Sequence, residues 1–383
     1  MTRAAFVVPK QPFGATEDGE TQITRLLLGA AAASCSVVAV VLAERPARGP
    51  VPVELVEVPK PPVRAARLAF ASARRRRSLI HVRFAPAALV RVLEQLPADV
   101  YVARRIYMAE AAIEAGRLPP RDRLVVLADV LESSVLRAAR PRLGLLASAE
   151  AARTRRDELR CLREASEVAF LADDDAVEVG AFGARRLDLV FAPADAPASL
   201  EDPLAVFVGD RRNPANADAV ARLLALWPTI ARAAPGARLA VAGHPARRER
   251  LAVPTGVDVL GFVDDVDALW RSAAVLLAPV RIGGGVRVKI LDAARHGVPV
   301  VGTRAAIGST GAYLPVSPAE DFATDAARLL TDARERRQRG DLLFEANRIL
   351  HARGFVEQQL AELLVANDAA ARPPSETRRS PTG

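Results

Sequence analysis

Short apolar runs alternate with longer amphipathic segments along most of the chain. The apolar runs are rich in valine, leucine and alanine, which is typical of buried parallel strands, and the segments between them have helical periodicity. This alternation predicts an α/β protein built on parallel sheets. The predicted strands are Ala4–Pro9, Val37–Leu42, Val53–Val58, Asp99–Ala103, Leu124–Leu127, Val168–Leu171, Leu187–Phe191, Leu204–Val208, Arg238–Ala242, Val257–Leu260, Ala274–Ala278 and Gly297–Gly302.

A loop rich in proline and alanine, Ala192–Pro203, interrupts this rhythm, which then starts again. We therefore expect two domains, residues 1–197 and residues 204–345. Two long helices, at about Pro318–Thr331 and Arg334–Ala366, are predicted near the end. Residues 369–383 have no periodicity, so we expect them to be disordered.

Length and composition narrow the class of protein. The chain has 383 residues, half of them hydrophobic, which suits two domains and excludes an intrinsically disordered chain. Its two cysteines, Cys35 and Cys161, exclude a disulfide framework or a multi-cysteine zinc site, and we expect both to be buried and inert. Aromatic residues make up only 4%, too few for stacking platforms along single-stranded nucleic acid.

The positive charge is concentrated in one segment. The net charge is +8, and eight arginines with no carboxylate lie between Pro61 and Leu93, so this patch (Arg64–Arg91) accounts for the whole excess. A local patch does not predict nucleic-acid binding. Two interpretations stay open, a solvated helix face and peripheral contact with an anionic membrane.

The uncharged stretch Leu26–Ala43 is at the lower length limit for a transmembrane helix. Its alanine-rich first part and β-branched last part favour the end of a helix followed by a buried strand. The apolar run Ala4–Pro9 is too short for a signal peptide and has no cleavage region, so we expect a cytoplasmic protein.

The segment Ala278–Val301 contains the most informative chemistry. A predicted strand ends in three glycines, and a predicted helix starts near Val286 and contains Arg287, Lys289 and Asp292. Bare backbone amides at a helix start form an anion cradle, suited to a phosphate or diphosphate. The alternative is a flexible turn with a surface ion pair. The chain has only three lysines, Lys10, Lys60 and Lys289, against fifty arginines, which favours a functional lysine here.

The same segment resembles the donor-binding motif of retaining nucleotide-sugar glycosyltransferases of the GT-B fold, glycosyltransferase family four. Further parts of the family pattern follow in the family's order, strongly over Leu204–Leu364 and weakly over Ala4–Pro197. These are Phe207-Val208-Gly209, Asn213, Pro214, Asn216, Asp218 and Ala219, Trp227-Pro228, Pro235, Val241-Ala242-Gly243 and Gly261-Phe262-Val263-Asp264-Asp265.

The resemblance implies two Rossmann-like domains facing each other across a cleft, with a closing helix at residues 346–368 that returns to the first domain. It also implies transfer of a sugar, with retention of configuration, from a UDP-, GDP- or dTDP-sugar to an unknown acceptor, without a metal. In this pattern Lys289 balances the diphosphate charge, Asp292 binds the ribose hydroxyls, and residues 262–264 lie at the base. The donor-binding residues expected on this basis are Gly14, Gly209, Arg212, His244, Phe262, Val263, Gly283, Gly284, Gly285, Val286, Arg287 and Asp292.

The chain departs from the family pattern at four places. Gly284 stands where many members have a glutamate near the donor sugar. Asp292 stands where the family usually has glutamate. Asp210 replaces the arginine after the strand glycine, which leaves Arg211 or Arg212 as the nearest second phosphate cation. No histidine occupies the acceptor-side strand end, where we single out Asp129. The predicted catalytic residues are Lys289, Asp129 and Arg211.

Other candidates have structural explanations. We expect His296 to cap its helix and the acidic run at 173–175 to cap a helix start rather than bind metal. His81 and His351 have no partner motif. Two alternative functions stay open: a GT-B sugar-nucleotide epimerase or hydrolase, and a scaffold that kept the fold without catalysis.

Overall fold

The computed structural model describes residues 1–14, 18–138, 140–172, 182–247, 249–281 and 285–365, with no side-chain description at 138–146. Within these ranges the chain forms two parallel sheets, one in each half of the sequence.

The first sheet has seven strands in the order β3-β2-β1-β4-β5-β6-β7. Central strands β1, β2, β4 and β5 are almost wholly buried, as expected for strands covered by helices on both faces. Its strands are β1 (Arg3–Val8), β2 (Ser36–Ala43), β3 (Glu54–Pro59), β4 (Val100–Arg104), β5 (Arg123–Ala128), β6 (Glu167–Phe170) and β7 (Arg185–Arg186). Its helices are α1 (Gly19–Ala32), α2 (Ala65–Arg75), α3 (Leu79–Phe84), α4 (Ala87–Gln95), α5 (Ala109–Glu114), α6 (Glu132–Ala138) and α7 (Arg140–Glu164).

The second sheet has five strands in the order β10-β9-β8-β11-β12. The order of the strands reverses at β8, which comes first in the sequence. In open α/β sheets such a reversal is a switch point at which ligands bind. Its strands are β8 (Leu204–Val208), β9 (Arg238–Ala242), β10 (Val257–Gly261), β11 (Val275–Ala278) and β12 (Val300–Gly302). Its helices are α8 (Pro214–Ala233), α9 (Val266–Ser272), α10 (Val288–His296), α11 (Arg304–Ile307), α12 (Phe322–Thr331) and α13 (Ala333–Ala352), followed by α14 (Phe355–Leu364).

The apolar stretch Leu26–Ala43 forms the end of α1 and all of β2, as its pattern predicts. Asp18 starts α1 by accepting a hydrogen bond from the Thr21 amide at 3.0 Å, and Thr21 bonds back to Asp18 in a capping box. Among the described helices, none is both long enough and apolar enough to span a bilayer.

The predicted strand Leu187–Phe191 is wrong. This apolar segment is irregular and mostly buried, and side chains from the second half of the chain satisfy its backbone. Gln359 bonds both backbone groups of Asp188 at 3.0 Å, Tyr313 donates to the Leu189 carbonyl at 2.9 Å, and Asn347 donates to the Phe191 carbonyl at 3.0 Å. Hydrogen bonds between side chains and the backbone therefore replace strand pairing in this segment.

The single long helix predicted at Arg334–Ala366 is two helices, α13 and α14. Gly354, at φ +65°, breaks it in the left-handed conformation that glycine adopts without strain. Helix α14 then packs on α1 of the first sheet, with Leu360, Leu363 and Leu364 buried. Arg123 of β5 donates to the Leu364 carbonyl at 2.8 Å, so the chain's last described helix lies on the first domain.

Candidate active site

The two sheets face each other at the carboxyl ends of their strands. A Cβ placed on Gly285, which precedes α10, would lie 3.6 Å from the Asp129 carbonyl oxygen at the end of β5. A Cβ placed on Gly19, the first residue of α1, would lie 2.9 Å from a methyl of Val288. The start of α10 is therefore enclosed by the first domain.

Lys289 lies in the first turn of α10 and is partly buried. Its ammonium donates to the Asn216 side-chain oxygen at 2.9 Å and lies 4.9 Å from the centre of the Phe207 ring. Burial, together with the neighbouring Arg287, lowers the pKa of Lys289 to about 8. The site thus holds a positioned cation that no described carboxylate neutralises.

Asp292 follows one turn later on the same helix. Its side chain is 7% exposed, and no described side chain donates a hydrogen bond to its carboxylate. Burial raises the pKa of Asp292 to about 7; Arg295 opposes the shift and Asp267 adds to it. Burying a carboxyl without a hydrogen-bond donor costs folding free energy. A carboxyl in this setting is suited to bind the hydroxyl groups of a ligand.

Lys289 and Asp292 do not pair with each other, although they are three residues apart on α10. The ammonium bonds Asn216 instead, and the carboxyl is among the buried residues. The surface ion pair that the alternative interpretation expected is therefore absent between these two residues. Gly283 and Gly284 lie outside the described residues, and Gly285 adopts φ +82° and is buried.

Three glycines end the adjacent strands of the second sheet. Gly209, Gly243 and Gly261 follow or end β8, β9 and β10, and the amides of the first two bond to Ala242 and Gly261 carbonyls. A Cβ on Gly243 would collide with the carbonyl of Gly209. The sequence needs glycine here because the two loops approach each other closely.

An aromatic pair stands beside this row of glycines. The His244 ring stacks on the Phe262 ring with centroids 4.6 Å apart and an angle of 17°, and Phe262 is 47% exposed. Val263 next to it is partly buried. An exposed, flat ring at the carboxyl end of parallel strands offers a stacking surface to a planar ligand group.

Arg287 precedes α10 and donates to the Gly285 carbonyl at 2.9 Å. It also lies against Gly308, where a Cβ would approach its Nε to 2.8 Å. Val286 is partly buried and Gly14 lies in the loop before α1. Arg287 thus braces the end of the glycine loop as well as adding positive charge.

Asp129 has a different setting from the one expected of a catalytic residue. Arg104 binds its carboxylate with two hydrogen bonds of 2.7 and 2.9 Å, and Arg105 approaches to 3.3 Å. Although burial alone would raise the pKa of Asp129, the two arginines hold it below its ordinary value. A carboxylate bound in this way is a poor proton acceptor, so Asp129 holds the strand end in place.

The setting of Arg211 also differs from the one expected of a catalytic residue. Its side chain is almost wholly buried, and its guanidinium bonds the Glu249 carboxylate at 3.0 and 3.1 Å and the Gly243 carbonyl at 3.0 Å. It therefore braces the loop after β9 and does not present a free cation. Arg212 pairs with Asp210 at 2.6 Å, but its side chain is exposed. Because of this exposure, Arg212 is a better candidate for an anion contact than Arg211.

Sequence reasoning missed two participants. Asn216 orients Lys289 and also donates to the Asp210 carbonyl at 2.9 Å; its place in the motif after β8 was the available signal. Arg105, at φ +86°, links Glu20 of α1, Asp129 and Glu132 of α6. No spacing rule predicts this network, because its members come from separate strand ends.

Three further features concern metals and capping. Among the described residues, His81, Glu110 and Cys161 are buried close enough to share an ion, but Glu110 already pairs with Arg77 and Arg160. His296 ends α10 and its ring bonds the Asp292 carbonyl at 2.8 Å. The acidic run at 173–175 lies outside the described residues.

Comparison with known proteins agrees with this geometry. Residues 202–332 match the family model described as glycosyl transferases group 1. The chain has the GT-B fold. Its solved structural neighbours include sucrose-phosphate synthase from Thermosynechococcus elongatus, at TM-score 0.67 and 15% identity, covering 95% of this chain and 99% of that one.

Two more solved structures resemble the chain over most of its length. WaaG, a glycosyltransferase involved in lipopolysaccharide biosynthesis, has TM-score 0.62 and 18% identity, covering 95% of this chain and 100% of that one. HepE from Anabaena, in complex with UDP-glucose, has TM-score 0.58 and 15% identity, covering 95% and 99%. No curated protein sequence matches the chain significantly. The resemblance to group 1 glycosyltransferases is thus confirmed for residues 202–332, and the GT-B fold is confirmed over 95% of the chain.

Proposed function

We propose that this protein transfers a sugar from a nucleoside-diphosphate donor to an acceptor, with retention of configuration. The observation that carries the proposal is on α10, behind a glycine loop. This helix presents a lysine that no described carboxylate neutralises and, three residues later, a buried carboxyl that no described side chain binds. A diphosphate needs a cation and a ribose needs a hydrogen-bond acceptor, and this helix supplies both.

The remaining donor contacts follow from the positions of the side chains. The diphosphate would lie at the start of α10, near Lys289 and the backbone after Gly285, with Arg212 as a second cation. The nucleobase would stack near His244 and Phe262, because the exposed Phe262 ring lies directly after the end of β10. HepE, which has the same fold, is seen with UDP-glucose and with UDP, which supports a nucleotide-sugar donor here.

Catalysis in this proposal is stabilisation of the leaving diphosphate. Negative charge on the leaving phosphate grows as the bond to the sugar breaks, and fixed cations and backbone amides stabilise that charge most in the transition state. The chain supplies these groups itself, so the proposed reaction needs no metal. Asp129 has no proton-transfer role, because Arg104 and Arg105 bind its carboxylate.

The test is native mass spectrometry with UDP-, GDP- and dTDP-sugars, followed by transfer assays with an acceptor panel. Sugar transfer with retained anomeric configuration, unchanged by a chelator, is the expected result. An altered or hydrolysed donor without an acceptor would identify an epimerase or a hydrolase. Donor binding with no turnover over the whole panel would favour a scaffold without catalysis.

Gly19 tests the enclosure of the site by the first domain. Gly19→Val adds a branched side chain where even a Cβ would lie 2.9 Å from Val288, so α1 and α10 must move apart. We expect kcat/KM to fall by about tenfold, because small displacements of reacting groups are costly. Gly29→Val is the matched control, since Gly29 lies on the same helix with open space around it. Equal activity of the two variants would contradict the closed arrangement.

Phe262 tests the proposed base platform. Phe262→Ala removes the exposed ring but leaves the strand end intact, and we expect donor affinity to fall by about 1 kcal/mol, or roughly fivefold. Turnover at saturating donor should be nearly unchanged, since the base lies far from the breaking bond. Calorimetric titration with the free nucleoside diphosphate measures the effect. A loss of kcat with unchanged affinity would place Phe262 elsewhere in the reaction.

A further inference from the structure

The arginine patch begins with an unusual helix, α2. Ser72 is the one buried residue of α2, and Phe70 is 72% exposed. Arg67, Phe70 and Arg74 have the spacing that puts side chains on one face of a helix, and the preceding Val63 is 56% exposed. The outer face of α2 thus combines large apolar side chains with cations.

Protein carboxylates neutralise only part of the patch. Arg75 pairs with Glu114 and Arg77 with Glu110, and both turn toward the domain. No described acidic side chain pairs with Arg64, Arg67 or Arg74, and all three are exposed. These outward arginines are therefore available to an anionic partner.

The position of α2 relates the patch to the cleft. β3 ends at Pro59 and α2 begins at Ala65, so the start of α2 lies near the carboxyl edge of the first sheet. The candidate site lies along that same edge, since Asp129 follows β5 and Gly19 begins α1. A surface that bound α2 would lie beside the acceptor side of the cleft.

We propose that α2 docks on an anionic lipid bilayer, with Phe70 and Val63 entering the interface and Arg64, Arg67 and Arg74 binding headgroup phosphates. Charge complementarity and the exposed aromatic ring together favour a bilayer, because a nucleic-acid backbone would need the arginines but not the apolar residues. The docking is independent of the proposed glycosyl transfer, and its test requires no activity.

The test is sedimentation of the full chain with vesicles of phosphatidylcholine alone and with about one third phosphatidylglycerol. We expect binding only to the anionic vesicles, weakening with salt, since the Debye length is about 8 Å at physiological ionic strength. Replacing Arg64, Arg67 and Arg74 by Gln should weaken partitioning on the order of 100-fold, at roughly fivefold for each arginine. Phe70→Ser should weaken it with the charge unchanged.

The matched control replaces Arg334, Arg337 and Arg348 by Gln, which removes the same charge from α13. Arg337 and Arg348 already pair with Glu201 and Glu345. Binding of this control should equal wild type, and thermal melting should show that all variants fold. Equal loss in the control and patch variants would overturn the proposal, because it would show a net-charge effect. Binding of single-stranded RNA as tight as that of anionic vesicles, or binding unchanged by Phe70→Ser, would overturn it as well.

Discussion

Lys289→Ala should lower turnover by about 10²–10³, while donor affinity changes much less. Charge on the leaving diphosphate grows as the sugar departs, so a fixed cation contributes more in the transition state than in the ground state. Losing one such group typically costs roughly 3–4 kcal/mol. Single-turnover kinetics and calorimetric titration of the donor separate the two effects.

The geometry around Lys289 sharpens this expectation. The ammonium is a point charge held by Asn216 beside the Phe207 ring. Because a forked guanidinium is bulkier than an ammonium, Lys289→Arg should rescue only in part. Because burial lowers the pKa of Lys289 to about 8, kcat/KM should fall as the pH rises through that value. Lys60→Ala is the control, a lysine in the first domain paired with Glu44. Near-normal turnover of Lys289→Ala would contradict the cradle and favour the scaffold.

The fold was largely predictable because parallel strands buried on both faces leave a simple pattern. β8 and β9 begin and end where the sequence pattern predicts, and each end of β1 and β2 lies within about one residue of its prediction. The segment Leu187–Phe191 has the same apolar composition, yet its partners are side chains from Gln359, Tyr313 and Asn347. Composition alone cannot distinguish a strand from a buried connection whose hydrogen bonds come from distant residues.

In the candidate site, too, the positions of some residues could be predicted from the sequence and those of others could not. Lys289 and Asp292 were predictable because one helix and one loop bring them together, and local spacing is enough to place them. Arg105 was not, since its guanidinium joins α1, the end of β5 and α6, which lie far apart in sequence. Arg211 follows the expected strand but turns inward to Glu249, a residue of the next crossover. The position of a residue in a motif predicts where its backbone lies, but tertiary packing determines which groups its charged side chain contacts.

Asp292→Asn should weaken donor binding and stabilise the free protein. The ionised carboxylate accepts charged hydrogen bonds from the ribose hydroxyls, and their loss costs about 1–3 kcal/mol of affinity. In the free protein the same carboxyl is buried and no described side chain donates to it, so removing its charge removes a free-energy penalty. One substitution is thus expected to move binding and stability in opposite directions.

The pH dependence of this effect has a definite sign. The folded-state pKa of Asp292 is raised to about 7, so the folded protein retains a proton that the unfolded chain releases near pH 4. Wild-type stability should therefore fall as the pH rises from about 4 to about 7 and stay low above it. Asp292→Asn should be more stable than wild type above pH 7, by on the order of 2–4 kcal/mol, with the difference vanishing near pH 4.

Urea unfolding across this pH range, with donor titrations at the same values, measures both consequences. Wild-type donor affinity should weaken below about pH 7, by up to about tenfold for each pH unit, as the carboxyl becomes protonated. The variant's affinity should be lower and nearly independent of pH. Asp341→Asn, at an exposed position of α13, removes the same charge from a residue that does not shift the pKa of Asp292, and it should do neither. If the variant gained stability but kept wild-type affinity, Asp292 would be a buried carboxyl without a part in donor binding, and the ribose would be held elsewhere.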